Sequence, residues 1–470
     1  LTSSIDSVSR NILLILVAVL VAPLTWFTLE YPMLAAIGAA ALLLVVSLTK
    51  ISGWWRRVYA ITIISLFAGA SHFELLVSVG SVAKMLSLAL FTVVAFATTR
   101  NLKSQYANPL HKFALLTLWV TVGLALMSTL WSTYRMESIV QALAFTAFVY
   151  ILHETSTKRW KDRTLILGDM SLAYWVCWAL LLIGVILALA GVAGAVSDYS
   201  GRTLGLLGNP NRLGIVATMT LAIGIGVAVH HRRPLIWASL IIPLSQILLS
   251  ESRTAIIATA IGVLWVVLRS GIIPMIVGLF ATAITLLGSV ALNFNPFGTT
   301  LDRFGAQEGG DVLNTRTQAW ADTVSLTERY PLGTGWYTAG TALEDFNQAG
   351  ITSGLTSVHN SYLNLLFELG WLGIIPAVLV TCIFIVIAIR ARINGIGSGL
   401  VIATVAGALI HLTESTIFGL GQPYPYLFWV AVLAAIVHTG NVDDNQADMP
   451  EESRSVNRKA RTRRTELSTR

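Results

Sequence analysis

The sequence predicts an all-α polytopic integral membrane protein, a bundle of 12–14 transmembrane helices with one large polar loop. Three observations lead there. The chain has 470 residues, of which 55% are hydrophobic and only 12% charged, and its mean hydropathy is +0.72. Apolar runs near twenty residues recur from end to end, the length needed to cross a hydrocarbon layer of ~30 Å. One stretch, 294–370, breaks this pattern with Asp302, Arg303, Glu308, Asp311, Arg316, Asp322, Glu328, Arg329, Glu344, Asp345 and a single histidine, His359. A bilayer core cannot hold unsatisfied polar groups, so chemistry or recognition concentrates in such a loop.

In chain order, spans are expected near 11–29, 33–49, 58–78, 82–99, 113–130 and 137–152. More follow near 171–193, 213–229, 235–250, 254–268 and 272–292, the short pair 235–250 and 254–268 being open to a re-entrant or broken form. After the loop come 371–389, 398–417 and 424–439. This divides the chain into N-terminal membrane helices (1–293), the loop domain (294–370), C-terminal membrane helices (371–440) and a tail (441–470) expected to be disordered and cytoplasmic. The first run, Asn11 to Leu29, has the length of a span and no small-residue cleavage site after it, so it reads as a span and not a signal peptide. Cys177 and Cys382 both fall in apolar runs, which suggests neither a disulfide nor a thiolate metal site.

Charge orients the bundle. Placing both termini inside assigns 23 of the 31 Lys and Arg residues to the cytoplasmic side, and the long loop has no lysine at all. That bias follows the positive-inside rule. Residues 294–360 hold three Arg against seven acids, net −4, and are expected to face outward. The pI of about 9.5 therefore reports topology and not nucleic-acid binding. The tail is acidic and then basic, and its end could touch anionic headgroups or serve only as a solvated topology signal.

Several outward-facing residues invite a chemical reading. Arg202 and Arg212 flank the Gly208-Asn209-Pro210-Asn211 turn that leads into the next helix. Arg253 lies in Ser252-Arg253-Thr254 between two apolar runs, where it either snorkels, pairs with Glu251, or joins an anion site. Arg316-Thr317-Gln318-Ala319-Trp320 opens a loop helix with Arg316 and Trp320 one turn apart; a surface helix packing its Trp on the bundle is the structural alternative. That helix is expected to stop at Tyr330-Pro331-Leu332-Gly333-Thr334-Gly335-Trp336. His359 begins the stretch His359-Asn360-Ser361-Tyr362-Leu363, ahead of Glu368-Leu369-Gly370. His411 and Glu414 sit one turn apart in a late span, either as a mutually satisfied pair or as support for the site.

These motifs, in this order over roughly Asp198 to Gly373, resemble the O-antigen ligase family, whose superfamily also holds O-antigen polymerases and bacterial O-linked oligosaccharyltransferases. The resemblance implies a membrane-embedded glycosyltransferase of the C-type architecture in the bacterial inner membrane, with its active site facing the periplasm. It implies a glycan donor linked to undecaprenyl pyrophosphate, a lipid A-core acceptor, surrounding membrane lipids and no nucleic acid. Arg202 and Arg253 take the family's arginine positions and His359 its histidine; Arg212 stands where a neutral residue is expected. Arg316, Asn360 and Tyr362 complete the expected substrate-binding set.

Elementary chemistry agrees. A departing pyrophosphate gains negative charge, and guanidinium groups match its oxygens in a fork without a metal. No Asp-x-Asp occurs, and no cofactor or metal is expected, although Glu344-Asp345 leaves a cation route open. The attacking hydroxyl must lose a proton, which suits a histidine. The positive end of the helix after His359 disfavours imidazolium and leaves the ring free to accept that proton. The capping region of that helix is the structural alternative for the same residues. A lipid-linked oligosaccharide flippase would line a path through the bilayer with charge, whereas here the notable charges gather on one side. An envelope scaffold would need no histidine among arginines.

Overall fold

The computed structural model describes residues 53–198, 201–270, 316–352, 357–419 and 422–447, with the backbone alone at 163 and 441–447. The expected spans 11–29, 33–49 and 272–292 lie outside these residues. Among those described the chain is all-helical, and its one β contact is an isolated bridge between Val196 and Thr203. Among the described residues eight helices are long and apolar enough to cross a membrane.

The first helices are α1 (Trp54–Gly69), α2 (Glu74–Thr99), α3 (Pro109–Ser128) and α4 (Arg135–Glu154). The span expected at 58–78 is thus two elements. α1 stops at Gly69, the polar pair Ser71-His72 forms the turn, and Ala70 O is taken by the N–H of Gly208 at 3.1 Å. A single π-turn, Thr155–Arg159, follows α4 and tips the chain into α5 (Arg163–Leu189), which Asp162 caps at Thr164 N–H.

α6 (Pro210–His231) is the central post, buried nearly all round. It crosses α14 (Ile396–Ile410) where Gly226 and Gly399 meet: a methyl group on Gly399 would stand 2.2 Å from Ala222 O. Helix backbones approach that closely only across small residues.

The span expected at 235–250 is a broken pair, α7 (Pro234–Ser239) and α8 (Ile241–Leu249). Pro243 has no N–H to offer the carbonyl four residues back, Ser239 O, and its ring crowds that position. The indole N–H of Trp178 takes the carbonyl instead, at 2.8 Å. α9 (Arg253–Ser270) returns across the bundle.

Within the loop domain, α10 (Arg316–Arg329), α11 (Ala339–Gln348) and α12 (Ser361–Leu369) build a small core of their own from Ala319, Leu326, Ala342, Leu343, Val358 and Phe367. A 3₁₀ turn, Gly370–Gly373, joins α12 to α13 (Ile374–Arg390). The last helix, α15 (Pro423–Ala447), runs past the boundary expected at Asn441. The polar segment there holds neither Gly nor Pro before Pro450 and continues the helix; residues 448–470 lie outside those described.

The Pro331–Trp336 motif fastens this loop domain to the bundle. Thr334 N–H donates to Phe367 O at 3.1 Å, Gly335 N–H to Glu368 O at 2.9 Å, and Trp371 N–H to Pro331 O at 3.0 Å. On the other side Ser132 Oγ donates to Thr334 O and the Trp131 indole to Leu332 O. Gly335 has φ 114°, and a methyl group there would lie 2.1 Å from Ser132 Oγ. Trp336 is buried against Phe145 and Phe418. Glu368 accepts from Asn364 Nδ2 at 2.9 Å and from the backbone of Tyr337 and Ala339. A further tie is Tyr134, whose hydroxyl donates to Asp345 at 2.5 Å; desolvation, then that bond, raises its pKa. The motif is a clasp.

Candidate active site

Helices α6, α9, α10 and α12 all begin at one end of the bundle. Each carries partial positive charge at its N-terminus, which makes that end receptive to anions. The residues that start them, together with the turn after α14, form one connected polar cluster.

Its centre is Glu414. One carboxylate oxygen accepts from Arg316 Nη2 at 2.9 Å and from Asn211 Nδ2 at 3.4 Å. The other lies 4.0 Å from Nδ1 of His359. Asn211 in turn accepts from Arg202 Nη2 at 2.8 Å, while Arg202 Nε donates to Ser250 O at 2.8 Å. These two neutral acceptors aim the guanidinium. Backbone bonding from Thr203 N–H to Leu249 O (3.1 Å) fixes the turn that carries Arg202 against the α8–α9 hairpin.

Arg253 opens α9 immediately after that hairpin, half-buried. Thr254, its neighbour, accepts from Thr413, the neighbour of Glu414, at 3.1 Å. Arg212 is exposed one residue beyond Asn211, and its side chain has no hydrogen bond among the described residues.

His359 is held in an unusual backbone conformation, φ +53°. Few residues other than glycine adopt it, and such positions persist where the surroundings fix them. Here Val358 is plugged into the loop-domain core on one side. On the other, Asn360 caps α12 by accepting from the N–H groups of Tyr362 (2.9 Å) and Leu363 (3.1 Å), and its Nδ2 donates to Leu412 O. The imidazole is about one-third exposed, with Nδ1 facing Glu414 and lacking a hydrogen-bond partner among the described residues.

The structure thus brings Arg202, Arg253, Arg316 and His359 to one end and leaves Arg212 at its rim. Asn360 spends its amide on the cap. Tyr362 leaves the cluster, packing on the bundle with its hydroxyl hydrogen-bonded to Thr381. His411 and Glu414 do not pair: α14 ends at Ile410, and the buried His411 ring turns inward to Ser361 Oγ (3.1 Å) and Tyr424 (3.3 Å). Ser361 Oγ also bonds Glu414 O, Thr416 N–H and Ile417 N–H, which pins the turn and sends the Glu414 carboxylate the other way. Sequence reasoning missed the roles of Asn211 and Ser250; it singled out Glu414, paired with His411 or supporting the site, without its partners Arg316 and Asn211.

Residues 238–378 match the model of a protein family described as O-antigen ligase. This covers Arg253, Arg316 and His359 and stops short of Arg202, Arg212 and Glu414. No curated protein matches the chain.

Proposed function

We propose that this chain belongs to the O-antigen ligase family, whose model matches residues 238–378, and transfers a glycan from undecaprenyl pyrophosphate to a sugar hydroxyl of a lipid A-core acceptor. The observation that carries the reading is the meeting of His359, Glu414 and Arg316 beside Arg202 and Arg253 at one end of a membrane bundle. In this reading the acceptor oxygen attacks the anomeric carbon opposite the leaving group and inverts it. The C–O bond to pyrophosphate breaks, its electron pair leaves with the phosphate, and the hydroxyl proton passes to His359. Arg202 and Arg253 bind the pyrophosphate and take up its growing charge. Glu414 positions the imidazole through Nδ1, presenting Nε2 to the acceptor, as a carboxylate orients a histidine base elsewhere. No metal or cofactor enters the scheme.

The site faces the periplasm in this proposal, since the opposite end carries the basic bias. Cysteines at Ser325 and Lys161 separate the orientations: an impermeant maleimide applied to intact cells labels Ser325→Cys and not Lys161→Cys, and the reverse pattern refutes the proposal.

His359→Ala is expected to lower transfer about 10²–10⁴-fold, the ordinary worth of a general base. Donor binding should hold, and the acid limb of the pH profile should vanish. Transfer near the wild-type rate with an unchanged acid limb rules the base assignment out. Arg202→Lys should recover only part of what Arg202→Ala loses, because an ammonium keeps charge and loses the fork. If Arg212→Ala abolishes transfer and Arg202→Ala does not, the phosphate site lies further along the turn. Ligase and polymerase differ in acceptor. The reading requires that cells lacking the gene accumulate lipid-linked polymer without attaching it to the lipid A-core.

A further inference from the structure

The end of the bundle opposite the candidate site carries a second cationic surface. α9 and α13 both begin on the site side, at Arg253 and just beyond Gly370, and end with Arg269 and Arg390. Eighteen residues of α9 rise about 27 Å, close to the thickness of a hydrocarbon layer. At the far end Arg269, Arg390 and Arg392 line an open cavity of about 320 Å³. Arg390 and Ala391 also wall a second cavity of about 230 Å³. This one is apolar and lies in the seam between the start of α3 (Pro109, Leu110), the end of α13 (Val386, Ile387) and α15 (Ile436). The two spaces therefore share Arg390 and Ala391 as walls, one cationic and one apolar, and no carboxylate of the described residues lines either.

Local structure holds this arrangement. Arg269 Nη1 donates to Ala388 O at 2.7 Å, a carbonyl that also accepts from the Trp265 indole at 2.8 Å, so the guanidinium is fixed against α13. α13 ends as Ala391 turns to extended backbone, and Arg392 N–H then bonds Thr439 at 3.3 Å. That bend brings the residues on both sides of it to the same cavity.

We propose that these adjoining cavities are a binding site for an anionic phospholipid from the leaflet at that end, its phosphate on Arg269 and Arg390 and one acyl chain in the α3–α13–α15 seam. Guanidinium groups take phosphate oxygens in a fork, and basic pockets between membrane helices hold phosphate headgroups. Inorganic phosphate would leave the apolar seam uncovered, and a zwitterionic lipid would bring its own cation to the arginines. The site is independent of the transfer reaction proposed above.

The test is native mass spectrometry of the purified protein, titrated with phosphatidylglycerol and with phosphatidylcholine of the same chains. Phosphatidylglycerol should be retained preferentially. Arg269→Gln and Arg390→Gln should each weaken it about fivefold, and the pair roughly twenty-five-fold. Val386→Trp, which fills the seam, should weaken it with the arginines intact, while Lys103→Gln, an exposed cation nearby that lines neither cavity, should change nothing. Equal retention of the two lipids overturns the proposal, as does undiminished binding in the double variant or an equal loss in Lys103→Gln. Displacement by equimolar inorganic phosphate overturns it too, by reducing the site to an ion patch. Each variant's thermal unfolding midpoint should match wild type, so a loss of lipid reports the site and not the fold.

Discussion

Two carboxylates sit at opposite ends of this bundle, each facing arginines, and they are built differently. Asp169 on α5 is sealed, with 2% of its side chain exposed. It accepts from Arg159 Nε (2.8 Å) and Nη2 (2.9 Å), from the Trp160 indole (3.1 Å) and from Arg56 Nε (3.5 Å). The π-turn before Trp160 is what swings Arg159 and Trp160 onto the same acid, and Arg159 also lies over the Trp55 ring at 5.0 Å. Glu414 is 12% exposed and has one good bond, to Arg316, one long one, to Asn211, and a histidine just out of reach. A saturated carboxylate can only hold structure. An undersatisfied one beside a partly exposed imidazole has capacity left for a substrate. Both are carboxylates facing arginine; the degree of satisfaction separates the two.

The sharpest way to break this contrast is to remove each acid. Asp169→Ala takes the shared acceptor from Arg159 and Arg56, which are only partly buried, and losing such charge-assisted bonds costs about 1.5–3 kcal/mol. A drop of that size in denaturant-unfolding free energy is expected, with transfer per folded molecule unchanged. Glu414→Gln should do the converse. The amide keeps the shape and loses the charge-assisted contacts, so transfer is expected to fall about ten- to a hundredfold, while the unfolding midpoint barely moves. Equal stability losses in the two variants would erase the distinction.

A smaller effect sharpens the contrast by loosening the clasp that carries His359. Gly335→Ala puts a methyl group against Ser132 Oγ at a backbone angle hostile to alanine. About 1–3 kcal/mol of destabilisation is expected, seen as faster proteolysis within 316–352 before global unfolding. Smallest is Asn360→Ala, which loses the α12 cap for about 1 kcal/mol. It should cost transfer only as far as it lets the neighbouring His359 wander, so its rate loss must stay well below that of His359→Ala; an equal loss would make Asn360 a substrate contact and not a cap.

What the sequence by itself determined was the membrane class, most helix positions and the list of charges with chemical potential. Long apolar runs have few alternatives to a spanning helix, because a bilayer forbids unpaired backbone. The Asn209-Pro210 and Asn360-Ser361 caps were legible for the same local reason: an Asn side chain satisfies the N–H groups one turn inward wherever a helix must start. The short run 235–250 was open to a broken form, but not to the finding that Trp178, distant in sequence, takes the carbonyl that Pro243 frees. Tertiary structure alone decided which charges meet. Spacing put His411 and Glu414 on one helical face, yet α14 ends between them and Ser361, on α12, turns them apart. The partners of Glu414 come from α6, α10 and the second residue before α12, separated from it by 203, 98 and 55 positions. Nothing in local sequence encodes such distances, since side-chain pairing across helices follows from how whole helices pack, and packing is settled by burial along their entire length.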